Sequence, residues 1–91
     1  MNIDALYDVI CDRLTNPKTG SYTVSLLQQG EDEILKKVGE EAVEVILAAK
    51  DQGRQRVIEE VADLTYHVLV LLAAQKIRPE EVRGELSRRH K

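Results

Sequence analysis

The sequence contains no tryptophan and no phenylalanine, and its three tyrosines make up 3% of the 91 residues. Its core must therefore be built from Leu, Val, Ile and Ala, a composition that favours packed helices. Proline and glycine are also scarce, with 2 and 5 residues respectively, so few positions interrupt a regular element. We predict an all-α fold in one small domain that comprises residues 1–91.

Cysteine and long apolar segments are also nearly absent. Cys11 is the single cysteine, which excludes an intrachain disulfide and fits a reducing compartment. Residues 1–14 include three aspartates and no apolar core, so we predict no signal peptide. The apolar run 61–74 is shorter than the roughly 20 residues that span a bilayer, and Asp63 and His67 interrupt it. We therefore expect a cytoplasmic protein that does not bind membranes.

An excess of positive charge is absent as well. The formal net charge of -3 argues against a general nucleic-acid binder. The basic residues 88–91 form only a short tail, which is typical of a solvated chain end. We expect a small-molecule partner and no nucleic acid.

Capping residues and turn residues predict short helices at both ends of the chain. Asn2 or Asp4 could cap a first helix, which a loop containing proline and glycine then ends. Ser21 or Thr23 could cap a second, short helix. Pro79 is typical of the first position of a last short helix.

Two long helices are predicted at residues 31–52 and 54–76, with Gly53 between them. So tight a connection favours an antiparallel helical hairpin. Glu44 precedes Gly53 by nine residues and Asp63 follows it by ten. At a rise of 1.5 Å per residue, both lie about 14 Å from the turn and therefore come level with each other.

The apolar residues of the two helices exceed what one hairpin can bury. The run 68–74 is apolar on every face of its helix. A hairpin and two short helices would leave part of it uncovered. We therefore predict a homodimer that completes a helical bundle.

Two acidic clusters interrupt the apolar half of the chain. Glu40, Glu41 and Glu44 form the first, and Glu60 and Asp63 form the second. Residues three or four apart share a helix face, so each cluster points one way. A solvated face is the usual explanation for such a charge run. Asp63, however, stands between apolar residues with no Lys or Arg within a turn of it, and we expect it to be buried with a partner.

A hard divalent cation would satisfy these carboxylates. Crowded carboxylates repel one another and are costly to desolvate unless a cation neutralises them. Ligands that offer only oxygen suit Mg²⁺ or Mn²⁺. We predict that a cation of this kind binds among the five carboxylates. His67 shares this face, but a buried core histidine is the commoner role, so it stays outside the catalytic set.

Four further residues are candidates for contacts with a substrate that carries phosphates. Lys37 shares a polar wedge of its helix with Glu40 and Glu41, so it could pair with a carboxylate or hold a phosphate. Lys18 could bind phosphate or be solvated. Tyr22, with Thr23 beside it, could stack on a base or cover the core.

The acidic pattern resembles that of a known superfamily. Glu41-x-x-Glu44 followed by Glu60-x-x-Asp63 resembles the signature of the all-α nucleoside triphosphate pyrophosphohydrolases. The longer segments 21–44 and 59–72 resemble phosphoribosyl-ATP pyrophosphohydrolase more specifically, and the resemblance extends over about residues 3–88.

This resemblance implies hydrolysis of phosphoribosyl-ATP to phosphoribosyl-AMP and pyrophosphate, the second step of histidine biosynthesis. Some members of this family are fused to the cyclohydrolase that acts next, but 91 residues leave no room for that domain, so we expect the free-standing form. Mg²⁺ held by Glu41, Glu44, Glu60 and Asp63 would neutralise the departing pyrophosphate and activate water for attack between the α and β phosphates. Glu40 would be a further ligand or the base that positions the water. No Ser, Cys or His arrangement suggests a covalent intermediate.

Two alternatives remain open from the sequence. One is a house-cleaning nucleoside triphosphate pyrophosphatase with a substrate such as dUTP. The other is a non-catalytic helical module whose acidic face binds a basic partner. The second alternative predicts no dependence on metal and tolerance of Glu-to-Gln substitutions.

Overall fold

The computed structural model describes residues 1–91 and contains five α-helices and no strand. The helices are α1 (Ile3–Thr15), α2 (Tyr22–Gln29), α3 (Glu31–Asp51), α4 (Arg54–Ala74) and α5 (Pro79–Arg89). The prediction of an all-α fold is confirmed. None of these helices is long and apolar enough to cross a membrane.

Side-chain caps define where the first two helices begin. The Asn2 side chain accepts a hydrogen bond from the Ala5 amide at 2.8 Å, and the Ser21 hydroxyl accepts one from the Val24 amide at 3.2 Å. Each bond satisfies an amide that has no partner within its helix. The two alternative caps predicted from the sequence lie inside the first turns.

The helix α4 ends at Ala74, two residues before the predicted end at 76. Lys76 adopts a left-handed conformation with φ 59°. Its amide donates to the Ala73 carbonyl at 3.1 Å, and the Ile77 amide donates to the Leu72 carbonyl at 2.9 Å. These two bonds form a Schellman motif, which closes a helix and usually has glycine at the left-handed position. Because this position holds lysine and not glycine, the end of α4 could not be predicted from the sequence.

The helices α3 and α4 contact each other more extensively than any other pair. Gly53 has φ 92° between them, a conformation that favours glycine. The Gln75 side chain, just past the end of α4, donates to the Glu31 carboxylate at the start of α3 at 2.5 Å. The acidic clusters of the two helices can therefore face each other.

A small apolar core lies where α1, α2, α3 and α4 meet. It consists of Tyr7, Ile10, Leu26, Ile34, Leu69, Val70 and Ala73. The Tyr7 phenol donates to the Ile77 carbonyl at 2.7 Å, so the one core tyrosine has a partner for its hydroxyl. An ion pair between Arg83 and Asp4 at 2.7 Å connects α5 to α1.

The apolar run 68–74 of α4 is only partly covered. The helices α1 and α2 pack on α4 and bury Leu69, Val70 and Ala73, whereas the other four residues of the run are half-buried or exposed. Several large apolar residues of α3 are exposed as well. The large exposed residues of that helix are Leu35, Val43, Ile46 and Leu47.

Candidate active site

An open cleft of about 500 Å³ lies between α3 and α4. Its lining residues are Lys37, Glu40, Glu41, Val43, Glu44, Glu60 and Asp63. The five acidic residues singled out in the sequence therefore line one cleft, and Lys37 lies among them. Each helix presents its acidic residues on one face because they are spaced three or four apart.

Three carboxylates in the cleft lie close enough to share a cation. One oxygen from each of Glu41, Glu60 and Asp63 lies within 4.8 Å of the other two. These groups offer only oxygen, the ligand that hard divalent cations prefer. Glu44 lines the cleft but does not join this group. If Glu44 also lay within 4.8 Å of the other three carboxylate oxygens, its negative charge would add repulsion as long as no cation is bound. The acidic group could hold a metal ion.

The burial of Asp63 differs from what we expected. Asp63 is exposed, whereas Glu60 is only 6% exposed. The apolar neighbours of Asp63 in the sequence, Ala62 and Leu64, project from other sides of the helix. They therefore do not enclose its carboxylate, which faces the open cleft. The expectation of a buried Asp63 was wrong.

Two cations of the protein itself neutralise part of the cluster. The Lys37 ammonium lies 3.5 Å from Glu40 and 3.7 Å from Glu41. The Arg56 guanidinium donates to both Glu59 and Glu60. We did not single out Arg56 from the sequence, although its spacing of three and four residues from these glutamates is that of a helical ion pair.

The pKa of the Lys37 ammonium reflects its surroundings. Partial burial lowers this pKa, but the negative charges of Tyr22 when ionised, Glu40 and Glu41 together outweigh burial. The pKa of Lys37 therefore lies above its usual value, and the side chain is a permanent cation at neutral pH. A fixed positive charge beside three carboxylates suits a ligand that carries both a divalent cation and phosphates.

A chain of hydrogen bonds connects α2 to α4 beside the cleft. His67, which is 5% exposed, places its Nδ1 2.7 Å from the backbone carbonyl of Asp63 and its Nε2 3.0 Å from the Tyr22 hydroxyl. Because a carbonyl only accepts, Nδ1 carries the proton and the Tyr22 hydroxyl donates to Nε2 in the neutral ring. Burial raises the pKa of the Tyr22 phenol, which keeps this donor protonated. His67 therefore supports the backbone at Asp63, not its carboxylate.

The predicted substrate contacts are divided between two cavities. Lys18 and Tyr22 line a second cavity of about 510 Å³, formed by the loop before α2 and by α2 itself. Lys37 lines the acidic cleft. Thr23 lines neither cavity, and its hydroxyl forms a hydrogen bond with the Tyr66 hydroxyl.

The sequence matches the family described as phosphoribosyl-ATP pyrophosphohydrolase over residues 3–90. This chain belongs to that family. A phosphoribosyl-ATP pyrophosphatase of Sulfurisphaera tokodaii is 55% identical over 89 residues, which cover 98% of this chain and 95% of the relative. The enzyme of that name from Pelotomaculum thermopropionicum is 55% identical over 84 residues, or 92% and 86% of the two chains. That of Clostridium botulinum is 47% identical over 87 residues, or 96% and 79%.

The resemblance to phosphoribosyl-ATP pyrophosphohydrolase inferred from the acidic motifs is thereby confirmed. The family description and the names of the relatives designate a hydrolase that acts on phosphoribosyl-ATP, which agrees with the predicted activity. The matched residues 3–90 include both acidic motifs and Lys37.

Proposed function

We propose that this chain hydrolyses phosphoribosyl-ATP to phosphoribosyl-AMP and pyrophosphate, the second step of histidine biosynthesis. Residues 1–91 act as one catalytic domain in the cytoplasm. The observation that carries the proposal is the group of three carboxylates from Glu41, Glu60 and Asp63, within 4.8 Å of one another and beside Lys37. Such a group suits a cation that bridges the protein and a polyphosphate.

The cation in this proposal is Mg²⁺, with Mn²⁺ as a substitute. Glu41, Glu60 and Asp63 would hold it, and Glu44 would turn to it from the same cleft. Their chemistry fits, because Mg²⁺ is usually bound through a few carboxylates together with waters and substrate phosphates. A bound Mg²⁺ would supply neutralisation of the developing negative charge and a more acidic water.

The residues around the carboxylates would orient the substrate and the water. Lys37 would release its contact with Glu40 and Glu41 to bind a phosphate oxygen, since it is a permanent cation on the cleft wall. Glu40, half-exposed at the cleft, would accept the proton of the attacking water or act as a further ligand. Water would attack directly between the α and β phosphates, without a covalent intermediate.

The remainder of the nucleotide would extend from the acidic cleft towards the second cavity. Tyr22 lines that cavity, and its hydroxyl bonds to His67, which in turn bonds to the backbone carbonyl of Asp63 beside the acidic cleft. Its ring is half-exposed and available for stacking on a base. Lys18 would contact the substrate from the loop. Thr23 would contribute indirectly through its hydrogen bond with Tyr66.

The quaternary structure in this proposal is a homodimer of antiparallel α3–α4 hairpins. Contact between Gln75 and Glu31 at 2.5 Å supports the antiparallel arrangement. A monomer of 10.3 kDa is expected to expose about 5,400 Å², whereas this chain exposes 6297 Å². The difference of about 900 Å² resembles the area that each partner buries in a stable interface. The radius of gyration of 14.2 Å also exceeds the roughly 12 Å expected of a compact chain of this length.

Ile46→Asp is expected to separate the dimer into monomers. Ile46 is 59% exposed on the apolar face of α3, and burying an unpaired carboxylate in an interface costs several kcal/mol, roughly. Light scattering at micromolar concentration measures the mass. Val9→Asp, on α1, is the control and should remain dimeric. A monomeric mass for the native chain would contradict the dimer.

Lys37→Ala is expected to raise KM about 10-fold, because the phosphates lose a charge-assisted contact. Its affinity for Mg²⁺ in the absence of substrate should stay the same or increase, since a competing cation has been removed. Steady-state kinetics and calorimetric titration on the same variant measure both quantities.

Lys36→Ala is the matched control, because Lys36 is the exposed neighbour that does not line the cleft. It should change neither quantity by more than about two-fold. Loss of Mg²⁺ binding in Lys37→Ala with an unchanged KM would assign Lys37 to ordering the carboxylates instead.

A substrate panel tests the proposed activity against the house-cleaning alternative. We expect kcat/KM to be higher for phosphoribosyl-ATP than for dUTP, dCTP or ATP by at least about 100-fold, because a site built to bind the polar groups of one substrate rejects analogues that lack them by more than this factor. Equal or greater turnover of dUTP would support the alternative substrate. No turnover of any nucleotide would support the interaction module.

A further inference from the structure

Glu60, one of the three clustered carboxylates, forms an ion pair with Arg56. Arg56 is in the first turn of α4, one turn before Glu60, and its Nη2 donates to a Glu60 oxygen. Glu60 is the most buried acidic residue of the cleft, with 6% of its surface exposed. A carboxylate so buried requires a nearby cation, and Arg56 provides it in the protein without metal.

The helix dipole does not explain the position of Arg56. The first turn of a helix favours negative charge, and a cation there is unfavourable. The first turn of α4 contains no acidic residue, and both Arg54 and Arg56 are in it. The positive charge of Arg56 is therefore at the end of the helix that favours negative charge. Its partners are Glu59 and Glu60.

We propose that Arg56 is an internal counter-ion that holds Glu60 ready in the metal-free protein and competes with the divalent cation for its carboxylate. The inference rests on the proposed function, because it assigns Glu60 to a cation site. Arg56 is thus a positioning residue, which prevents the buried carboxylate from turning away and lowers the affinity for the metal.

The second partner of Arg56 makes this exchange reversible. Nη1 of the same guanidinium donates to Glu59, an exposed carboxylate outside the cleft. When Glu60 turns to a cation, Arg56 keeps its ion pair with Glu59. The guanidinium therefore keeps one carboxylate partner, and no unpaired charge remains when Arg56 separates from Glu60.

Removing Arg56 should strengthen metal binding. We expect Arg56→Gln to bind Mg²⁺ or Mn²⁺ about 5-fold more tightly than the native chain, because the guanidinium no longer competes with the metal for the Glu60 carboxylate. Calorimetric titration of the substrate-free protein with each metal measures the affinity. Arg54→Gln is the matched control, because it removes the same charge from the same turn without touching Glu60, and it should change the affinity less than 2-fold, roughly.

Thermal melting separates this role from a purely structural one. Without metal, Arg56→Gln should melt below the native chain, because Glu60 is left buried without a counter-ion. With saturating Mn²⁺ the difference should shrink, because the metal replaces the lost cation and tighter binding stabilises the variant more. An equal deficit in Tm with and without metal would overturn the inference. In a Glu60→Gln background, Arg56→Gln should no longer strengthen metal binding.

The outcomes distinguish this inference from the proposal on which it rests. A native chain that binds neither metal would contradict the cation site itself, and with it the role of Arg56. A native chain that binds metal, together with an Arg56→Gln variant of unchanged or weaker affinity, would overturn the role of Arg56 alone.

Discussion

Asp63→Asn and Glu41→Gln are each expected to lower kcat/KM by about 1,000-fold, because a metal-supported displacement depends on several kcal/mol of charge stabilisation. The same variants should keep their helical content. Removing one negative charge from a group of three within 4.8 Å relieves repulsion, so the Tm of the metal-free protein should stay the same or rise slightly. Pyrophosphate release, circular dichroism and a melting curve on each variant measure these effects.

The other two proposed ligands should behave differently from each other. Glu44→Gln should lose activity without a change in Tm, since Glu44 lies outside the crowded group. Glu60→Gln should lose activity, but it also removes the ion pair with Arg56. Glu33→Gln is the control on α3, because Glu33 does not line the cleft. Parallel losses of activity and Tm in Asp63→Asn would mark Asp63 as structural.

Ile34→Ala is expected to destabilise the fold by about 2–5 kcal/mol, the usual effect of emptying a core site of this size. Ile34 is 1% exposed and belongs to the core in which α1, α2, α3 and α4 meet. In a chain this short each kcal/mol shifts the Tm by about 4–8 °C, so the Tm should fall by about 10 °C or more. Differential scanning calorimetry measures the change.

Leu14→Ala serves as the control for this prediction, because Leu14 is exposed at the end of α1. Its effect should stay within about 0.5 kcal/mol. If Ile34→Ala melted at the native temperature, the core would have to lie elsewhere than at the junction of these helices.

Local signals made most helix positions predictable. The residues Asn2, Ser21 and Pro79 mark the beginnings of three helices, since each occupies a position that its chemistry favours. Gly53 separates α3 from α4, because glycine readily adopts the positive φ of 92° found there. The end of α4 was misplaced because Lys76 adopts a conformation that its side chain does not favour. The two hydrogen bonds of the Schellman motif accompany this conformation, and the residue type at position 76 does not indicate them.

The candidate site was predictable in composition but not in its details. Helical spacing was enough to bring the acidic residues of α3 and α4 to one cleft. Burial was not predictable, because the neighbours of Asp63 along the chain do not reveal which elements pack on each face of α4. Arg56 was overlooked because we looked for a cation near Asp63 and not near Glu60. The pairing of Thr23 with Tyr66 depends on how α2 packs on α4, which no local pattern encodes.

The most direct test of the account is the release of pyrophosphate from phosphoribosyl-ATP by the purified chain, measured with Mg²⁺ and after removal of metal by a chelator. We predict rapid release of one pyrophosphate per phosphoribosyl-AMP with Mg²⁺ and a rate at least about 1,000-fold lower without metal. Restoring Mg²⁺ should restore the rate. Turnover that is unchanged by the chelator, or no release of pyrophosphate in the presence of Mg²⁺, would contradict the account.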